Sequence, residues 1–272
     1  MRYPRREGFP VTSLKGFIAA AGHGVRLHPL SVAVPKELLP VGLRPAVDYH
    51  VRDLLDHGVR EIVVVINPDK TRLRDYLTQV FPEAHFTFVF QDPPVGLGFA
   101  MLEAEDLLEN DPFLMLLPDN VFFGRESLSR MLIEGHRHSG TSCVPLFHDG
   151  RYKPGAKVGM EIRRDSTGMP RIARAHPLTQ VPSDRQVYFG PAAWFLTPEV
   201  FDHLKISANT YDTFGGDFSE RPAMEGLMRC GRLTGIWVEG NCFDIGTPQG
   251  YLDCLRFFLS QEDASLPTAS RP

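Results

Sequence analysis

The stretch that decides the fold is KGFIAAAGHGVRLHPLSVAVPKELLPVG, residues 15–42. It opens with an apolar run, KGFIAAA, that is typical of a buried strand, and the run leads directly into a turn containing Gly22 and Gly24. Glycines at these positions permit a tight turn and close approach of a ligand, and exposed backbone amides can bind an anion. Arg26 then offers a planar guanidinium and Lys36 a mobile ammonium. The stretch therefore predicts a strand that ends in a phosphate-binding loop.

The first 120 residues repeat this unit. Apolar runs suited to buried strands alternate with segments of helical period, which is typical of a parallel α/β sheet. Prolines at both ends of PLSVAVP, between Arg26 and Lys36, predict a loop there rather than a helix. The predicted strands span 15–21, 61–66, 86–90 and 113–117, and the predicted helices span 45–57, 69–80 and 97–108.

The second half of the chain is less regular. The segment 148–186 is rich in Gly, Pro, Arg and Asp, and it predicts hairpins and loops inserted into the sheet. We therefore expect a single α/β domain over 14–260, with a mixed, mainly parallel sheet between helices, a loose leader over 1–13 and a flexible tail over 261–272. Further strands are predicted at 141–147, 158–163, 171–175, 187–196 and 233–238, and further helices at 126–138, 217–229 and 247–259.

Composition narrows the class of protein. The 272 residues are 43% hydrophobic, enough for a sizeable core, and 29 Lys and Arg stand against 33 Asp and Glu. The resulting net charge of -4 argues against a nucleic-acid or membrane partner. The N-terminal apolar run is too short for a secretory signal or a membrane span. The four cysteines are too few for a disulfide framework and lack the spacing of a zinc site, so a reducing, cytoplasmic location is expected. They are Cys143, Cys230, Cys242 and Cys254.

Two well-known nucleotide loops do not fit the glycine turn. A dinucleotide-binding loop needs a third glycine where Leu27 stands, and an acidic residue after the second strand, which instead ends in Ile66-Asn67-Pro68. A Walker loop needs a GK[ST] sequence, which does not follow. On its glycines alone, the segment is most simply a surface turn with two solvated cations.

The whole stretch, however, resembles the GxGxRLxPLTxxxPKxLLPV signature of the sugar-1-phosphate nucleotidyltransferases, with Val25 and Ser31 in place of two threonines. Four more segments resemble motifs of that family, in the family's order: RPAVDYHVRDLLDHGVREIVVVI, QDPPVGLGFAM, LLPDNVFFG and WVEGNCFDIGTPQGYLDC. The resemblance covers 15–258. It implies a Rossmann-like, glycosyltransferase-A-like domain that condenses a nucleoside triphosphate with a sugar-1-phosphate and releases pyrophosphate.

This chemistry brings two highly charged phosphates together, so the site must neutralise their repulsion and hold them in line. Asp119 follows the FLMLL strand, and Asp244 precedes a glycine. Either aspartate alone is as readily a turn former or a helix cap. Together they resemble the family's paired metal aspartates, which implies Mg²⁺ as the cofactor. By the same resemblance, Arg26 and Lys36 are the catalytic cations, on the leaving phosphates and near the transferred group.

The resemblance assigns the nucleotide to the half of the domain over 14–125 and the sugar phosphate to 126–260. Gln91 can pair with the edge of uracil or thymine, which favours UTP or dTTP, although it can equally cap a helix. A guanylyl- or cytidylyltransferase stays open. The residues expected to bind the nucleotide are Ala20, Ala21, Gly22, Gly24, Gln91 and Gly96.

The sugar-phosphate side departs from the family pattern. Gly159 and Gly190 resemble family glycines, but the family's Glu-Lys-Pro segment corresponds here to Ala175, His176 and Pro177. An imidazole at His176 replaces a full positive charge, so we expect either a protonated His176 or a substitute cation. Glucose-1-phosphate is the default substrate, but an unusual sugar or cyclitol phosphate stays open. So do a non-catalytic nucleotide-sugar-binding protein and a homo-oligomer. The candidate substitutes are Arg171, Arg174 and Lys153.

Overall fold

The computed structural model describes residues 14–108, 111–148, 157–211 and 216–265. The predicted leader and the part of the predicted tail after Ser265 lie outside the described residues. The strands, in chain order, are β1 (Lys15–Ala20), β2 (Pro40–Val41), β3 (Arg44–Pro45), β4 (Glu61–Ile66), β5 (His85–Phe90), β6 (Phe113–Leu116), β7 (Asn120–Gly124), β8 (Ser142–Phe147), β9 (Val158–Arg164), β10 (Pro170–Pro177), β11 (Ala193–Leu196), β12 (Leu233–Val238) and β13 (Gly240–Asp244). The α-helices are α1 (Leu30–Ala33), α2 (Ala46–Leu55), α3 (Thr71–Val80), α4 (Leu97–Glu103), α5 (Glu105–Leu108), α6 (Leu128–Ser139), α7 (Val200–Ala208), α8 (Arg221–Arg229) and α9 (Pro248–Ser265).

One mixed sheet organises the chain, with the strand order β5-β4-β1-β6-β11-β8-β12-β10-β9. The four strands of the first half pair in parallel, with Ile18 of β1 between Val64 of β4 and Leu116 of β6. Strand β11 runs antiparallel to both neighbours, β12 pairs in parallel with β8, and β9 and β10 form an antiparallel hairpin at the far edge. The predicted mixed α/β fold is confirmed.

Helices cover both faces of the sheet. Side chains alternate along a strand, so Phe17 and Ile18 of β1 point to opposite faces, yet both are fully buried. Ile18 packs in a cluster with residues of α2, α3 and α6, whereas Phe17 packs with residues of α4, α7 and α8. Burial on both faces explains why the strands of the first half are almost continuously apolar. Within the described residues, no helix is both long and apolar enough to cross a membrane.

A short antiparallel pair, β7 with β13, lies outside the main sheet and was not predicted. Strand β7 begins only one turn after β6, so the sequence shows no separate strand there. Val121 and Phe243 pair across the two strands and are buried against α9, where Phe257 packs on Phe243 with ring centroids 5.3 Å apart. The register places Asn120 opposite Asp244. This pair therefore joins the end of β6 to the loop before α9.

Four predicted elements differ from the structure. PLSVAVP contains the one-turn helix α1, because Pro29 at its N-cap has no need of an N–H. The helix predicted over 97–108 is interrupted at Ala104, and the strand predicted over 187–196 is limited to β11 because Gly190 and Pro191 interrupt it. Helix α9 continues to Ser265, beyond the predicted start of the tail at 261, since no glycine or proline stops it earlier. Helix α7 was not predicted.

Candidate active site

The phosphate-binding loop predicted after β1 begins with a left-handed turn. Gly24 has φ 69°, a backbone conformation that favours glycine, and a 3₁₀ turn over Val25–Leu27 follows. The side chain of Arg26 on this turn is 55% exposed, which leaves its guanidinium available to a ligand. Lys36 begins a second 3₁₀ turn, Lys36–Leu38, and its side chain is largely buried.

The two predicted metal aspartates face one gap. Asp119 follows β6 and Asp244 ends β13, and the β7–β13 pairing brings them together. Gly246 marks the gap, because a Cβ placed on it would lie 2.9 Å from Asp119 Oδ2 and 3.0 Å from Asp244 Oδ1. The same position is 3.2 Å from Arg26 Nη2. Gly246 was not singled out from the sequence, although its signal is the glycine of the FDIGT segment.

Three cations surround these carboxylates. Lys36 Nζ lies 2.5 Å from Asp119 Oδ2, and Arg26 Nη1 lies 3.7 Å from Asp244 Oδ2. Lys157 Nζ, which was not predicted, lies 3.1 Å from the same Asp244 oxygen. We call these five residues the charge cluster. The structure thus brings together all four residues predicted for catalysis and metal binding, and it adds a third cation.

Lys36 and Asp119 stabilise each other's charged form. Burial alone would raise the pKa of Asp119, but Lys36, Lys157 and Arg26 outweigh it and lower that pKa to about 2. Burial alone would lower the pKa of Lys36, but Asp119, Glu37 and Asp244 outweigh it and raise that pKa. Both groups are therefore ionised at neutral pH despite their burial.

The donor set suits a hard divalent cation. Two carboxylates opposed across a gap that a methyl group would fill supply the oxygen ligands that Mg²⁺ prefers. In the part of the chain that the structure describes, no group of three or more His, Cys, Asp or Glu side chains could hold a metal ion. Phosphate oxygens and water would therefore have to complete the shell, as they commonly do for Mg²⁺. The residues present fit this ion.

The residues predicted to bind the base lie at the end of the sheet beyond β5. Gln91 is buried, and its Nε2 donates to Gly96 O at 3.4 Å. Gly96 has φ 112°, and a Cβ there would lie 2.3 Å from Phe218 O, so only glycine fits. Phe218 also accepts from Gly98 N and donates to Val95 O. The segment before α8, which had no role from the sequence, therefore holds the Gly96 loop.

The residues predicted to bind the sugar phosphate make contacts within the protein. Gly159 pairs with His176 across β9 and β10, but His176 Nε2 lies 2.6 Å from Glu161 Oε1. Arg185 Nη1 donates to the other oxygen of that carboxylate at 3.0 Å. A Cβ on Gly190 would lie 1.8 Å from a backbone oxygen of β8, so close packing explains that glycine without a ligand. Among the described residues, the imidazole of His176 makes no hydrogen bond or ion pair with the charge cluster.

Of the substitute cations considered from the sequence, Arg171 is already engaged. Its guanidinium donates to Asp165 at 2.9 Å and to Thr234 Oγ1 at 2.5 Å. Arg174 pairs in register with Glu161 on the hairpin, and Lys153 lies outside the described residues. Lys157 is instead the cation beside the aspartates, and its signal in the sequence is its place two residues before Gly159.

We predict that Asp119→Asn destabilises the protein in a pH-dependent way. The folded-state pKa of about 2 lies below the ordinary value of 3.8, so the ionised carboxylate stabilises the fold above about pH 4, and this contribution is lost as pH falls toward 2. Denaturant unfolding should show a loss of about 2 kcal/mol at pH 7. The loss should shrink between pH 5 and pH 3. Asp75→Asn, an exposed change on α3, is the matched control. An equal loss of unfolding free energy for Asp119→Asn at pH 7 and at pH 3 would contradict the prediction.

Known proteins are similar to this chain in sequence and in fold. The chain is 25% identical over 270 residues to the UTP–glucose-1-phosphate uridylyltransferase of Pseudomonas aeruginosa, covering 89% of this chain and 95% of the relative. It is 26% identical over 285 residues to the enzyme of the same description from Mycoplasma genitalium, covering 92% and 94%. A solved structure of UDP-glucose pyrophosphorylase complexed with UDP-glucose superposes with a TM-score of 0.76 at 20% identity, covering 92% of this chain and 99% of that one.

The family model for nucleotidyl transferases matches residues 15–261. This match includes every strand and the whole charge cluster, and it confirms the family resemblance read from the sequence motifs. The chain therefore belongs to the nucleotidyl transferase family.

Proposed function

We propose that this protein condenses UTP or dTTP with a sugar-1-phosphate, giving a nucleotide sugar and pyrophosphate. The observation that carries the proposal is the charge cluster: two carboxylates across one gap, with three cations around them, at the edge of the sheet where the loops after β1 and β6 meet. The reaction needs such a site because two anionic phosphates must approach each other. The activities of the relatives support the same reaction.

The proposed step is an in-line displacement. An oxygen of the sugar phosphate attacks the α-phosphorus of the triphosphate, and a P–O bond forms as the bond to the β-phosphate breaks. Pyrophosphate leaves with the electron pair, so no proton has to move. Catalysis then depends on positioning and on charge compensation rather than on an acid or base.

Each cation of the charge cluster has a distinct place in this step. Arg26 is the exposed guanidinium, so we assign it to the β- and γ-phosphates that leave. Lys36 is buried beside Asp119, and we assign it to the charge that develops on the transferred group. Asp119 and Asp244 would hold Mg²⁺, which when bound neutralises charge on the phosphates.

We assign the sugar phosphate to Lys157 rather than to His176. Lys157 is half exposed and already within 3.1 Å of Asp244, whereas His176 is held by Glu161. An ammonium supplies the full charge that an imidazole at this place does not. With this assignment, the nucleotide occupies the half of the domain over 14–125 and the sugar phosphate the half over 126–260. Glucose is the sugar that the names of the relatives support.

Gln91 supports uracil or thymine as the base. Its Nε2 hydrogen-bonds to Gly96 O and to Glu103, which leaves Oε1 to accept from the N3–H that uracil and thymine share. Burial and the contact with Gly96 hold the side chain in one orientation, which favours recognition of one pattern of donors and acceptors on the base.

The described residues also support a cytoplasmic location, because all four cysteines are free thiols, as expected in a reducing compartment.

The direct test is a matrix of nucleoside triphosphates against sugar-1-phosphates, with pyrophosphate release measured in the presence of Mg²⁺. We expect turnover with UTP or dTTP and glucose-1-phosphate, and none without the divalent cation. No turnover with any sugar-1-phosphate would contradict the proposal. If calorimetry then showed tight, Mg²⁺-independent binding of UDP-glucose, the protein would be a non-catalytic binding protein instead.

We predict that Gly246→Ala abolishes most of the activity without unfolding the protein. The added methyl group would occupy the gap between Asp119 and Asp244, and Gly246 has no positive φ that alanine would strain. We expect kcat/KM to fall at least 100-fold, roughly 3 kcal/mol of transition-state stabilisation. The contrasting control is Gly231→Ala, at φ 66° in open space, which should lower stability and leave turnover unchanged. Full activity in Gly246→Ala would exclude this gap as the metal site.

We predict that Lys157→Met raises the KM for the sugar-1-phosphate at least tenfold and changes the KM for UTP less, because the lost charge faces the second phosphate. His176→Gln is the matched control, since it keeps a polar group at the position the family motif would use. Steady-state kinetics with each substrate varied in turn would give the KM for the sugar-1-phosphate and for UTP in both variants. A larger effect from His176→Gln would assign the sugar-phosphate cation to the imidazole.

A further inference from the structure

A buried ammonium lies behind the phosphate-binding loop. Lys70 precedes α3, on the connection from β4, and its Nζ donates to the backbone oxygens of Ala20 at 2.6 Å and Gly22 at 2.7 Å. These two carbonyls belong to the end of β1 and the start of the glycine turn. Lys70 is only 7% exposed, so the contacts form inside the protein.

The same ammonium is paired with a fully buried carboxylate. Glu37 has no exposed surface, and its Oε1 and Oε2 lie 2.9 and 3.0 Å from Lys70 Nζ. Glu37 is the residue after Lys36, on the same 3₁₀ turn. The Lys70–Glu37 pair therefore connects the glycine turn to the segment that carries a cation of the charge cluster.

Lys70 has no donor left for a substrate. An ammonium carries three N–H groups, and here two backbone carbonyls and one carboxylate take them up. A buried charge with this set of partners is satisfied and has no route to a phosphate oxygen. Lys70 can therefore affect a bound nucleotide only through its hydrogen-bond partners, the two backbone carbonyls and the Glu37 carboxylate.

The geometry of the peptide bond shows how Lys70 orients the amides of the glycine turn. In a trans peptide, the C=O of one residue and the N–H of the next point in opposite directions. Because the carbonyls of Ala20 and Gly22 point at Lys70, the amides of Ala21 and His23 point away from it. The amide of His23 has no backbone acceptor among the described residues. It is therefore free to donate to an anion on the outer side of the turn.

We propose that Lys70 is a positioning residue for the reaction proposed above: it orients the amides of the glycine turn and, through Glu37, fixes Lys36 against Asp119. The inference rests on the proposed function, because it treats the turn as a triphosphate site. Lys70 and Glu37 act as one unit, and neither contacts the reacting atoms.

The test compares Lys70→Met, Glu37→Met and the double variant for stability, for kinetics with UTP, and for UTP binding by calorimetry. Each single variant leaves one buried charge unpaired and should lose stability. The double variant removes both charges and should regain the part of this loss that the unpaired charge causes, while the Ala20 and Gly22 carbonyls still lack their donor. Its kcat/KM for UTP should stay at least 30-fold below wild type and its UTP affinity at least tenfold below. If the double variant regained both stability and kcat/KM, the pair would be only structural and the inference overturned.

Lys15→Met is the matched control. Lys15 lies at the opposite end of β1, where its Nζ donates to Leu107 O at 2.7 Å and pairs with Asp111 at 3.4 Å. Losing this ammonium should lower stability without changing kcat/KM for UTP. A wild-type protein that neither turns over nor binds any nucleoside triphosphate would overturn the proposed function and the inference with it. A wild-type protein that turns over, with a double variant equal to it, would overturn the inference alone.

Discussion

The structure around the site depends on holding two buried carboxylates beside each other among cations. Asp119 and Asp244 face one gap, and burial opposes the charge on Asp119. The cations Lys36, Lys157 and Arg26 outweigh the effect of burial and lower the pKa of Asp119 to about 2. The aspartates in turn keep Lys36 charged although it is buried. Neither sign of charge would be stable there alone, so the cluster forms as a unit or not at all.

A second layer of charge lies beneath this cluster. Lys70 and Glu37 are both buried and paired with each other. Lys70 also donates to the backbone of the glycine turn, and Glu37 is the residue after Lys36. Paired charges thus extend inward from the exposed Arg26 to the buried Lys70. An arriving polyphosphate would meet cations whose protein partners are already fixed, so little reorganisation is needed at the moment of reaction.

The sugar side follows a different arrangement from the nucleotide side. On the β9–β10 hairpin, His176 is satisfied by Glu161, which also binds Arg185. Lys157 lies immediately before β9 and approaches Asp244, so the cation beside the cluster comes from the entry to the hairpin rather than from β10, which carries His176. His176 stands where the family motif has a lysine, and Lys157, immediately before the same hairpin, lies beside Asp244.

Much of the fold could be predicted from local patterns, and four of the five residues of the charge cluster from the family motifs. Apolar runs of strand length and helical periods gave the parallel half of the sheet, because burial on both faces leaves a strong signal in the sequence. The short strands β7 and β13 left no such signal, and α7 was missed. The interruption of 187–196 by Gly190 and Pro191 was also missed, because tertiary contacts with β8 decide where that strand begins.

The sequence by itself determined which residue types could meet a polyphosphate: a glycine turn followed by Arg26 and Lys36, and two aspartates in motifs of one family. Only the tertiary structure decided that Asp119 and Asp244 share a gap at Gly246, and that Lys157 rather than His176 stands beside it. The physical reason is that charge acts through space over a few ångströms, whereas these residues are far apart along the chain. Their meeting is set by strand pairing and packing, which no local pattern in the sequence records.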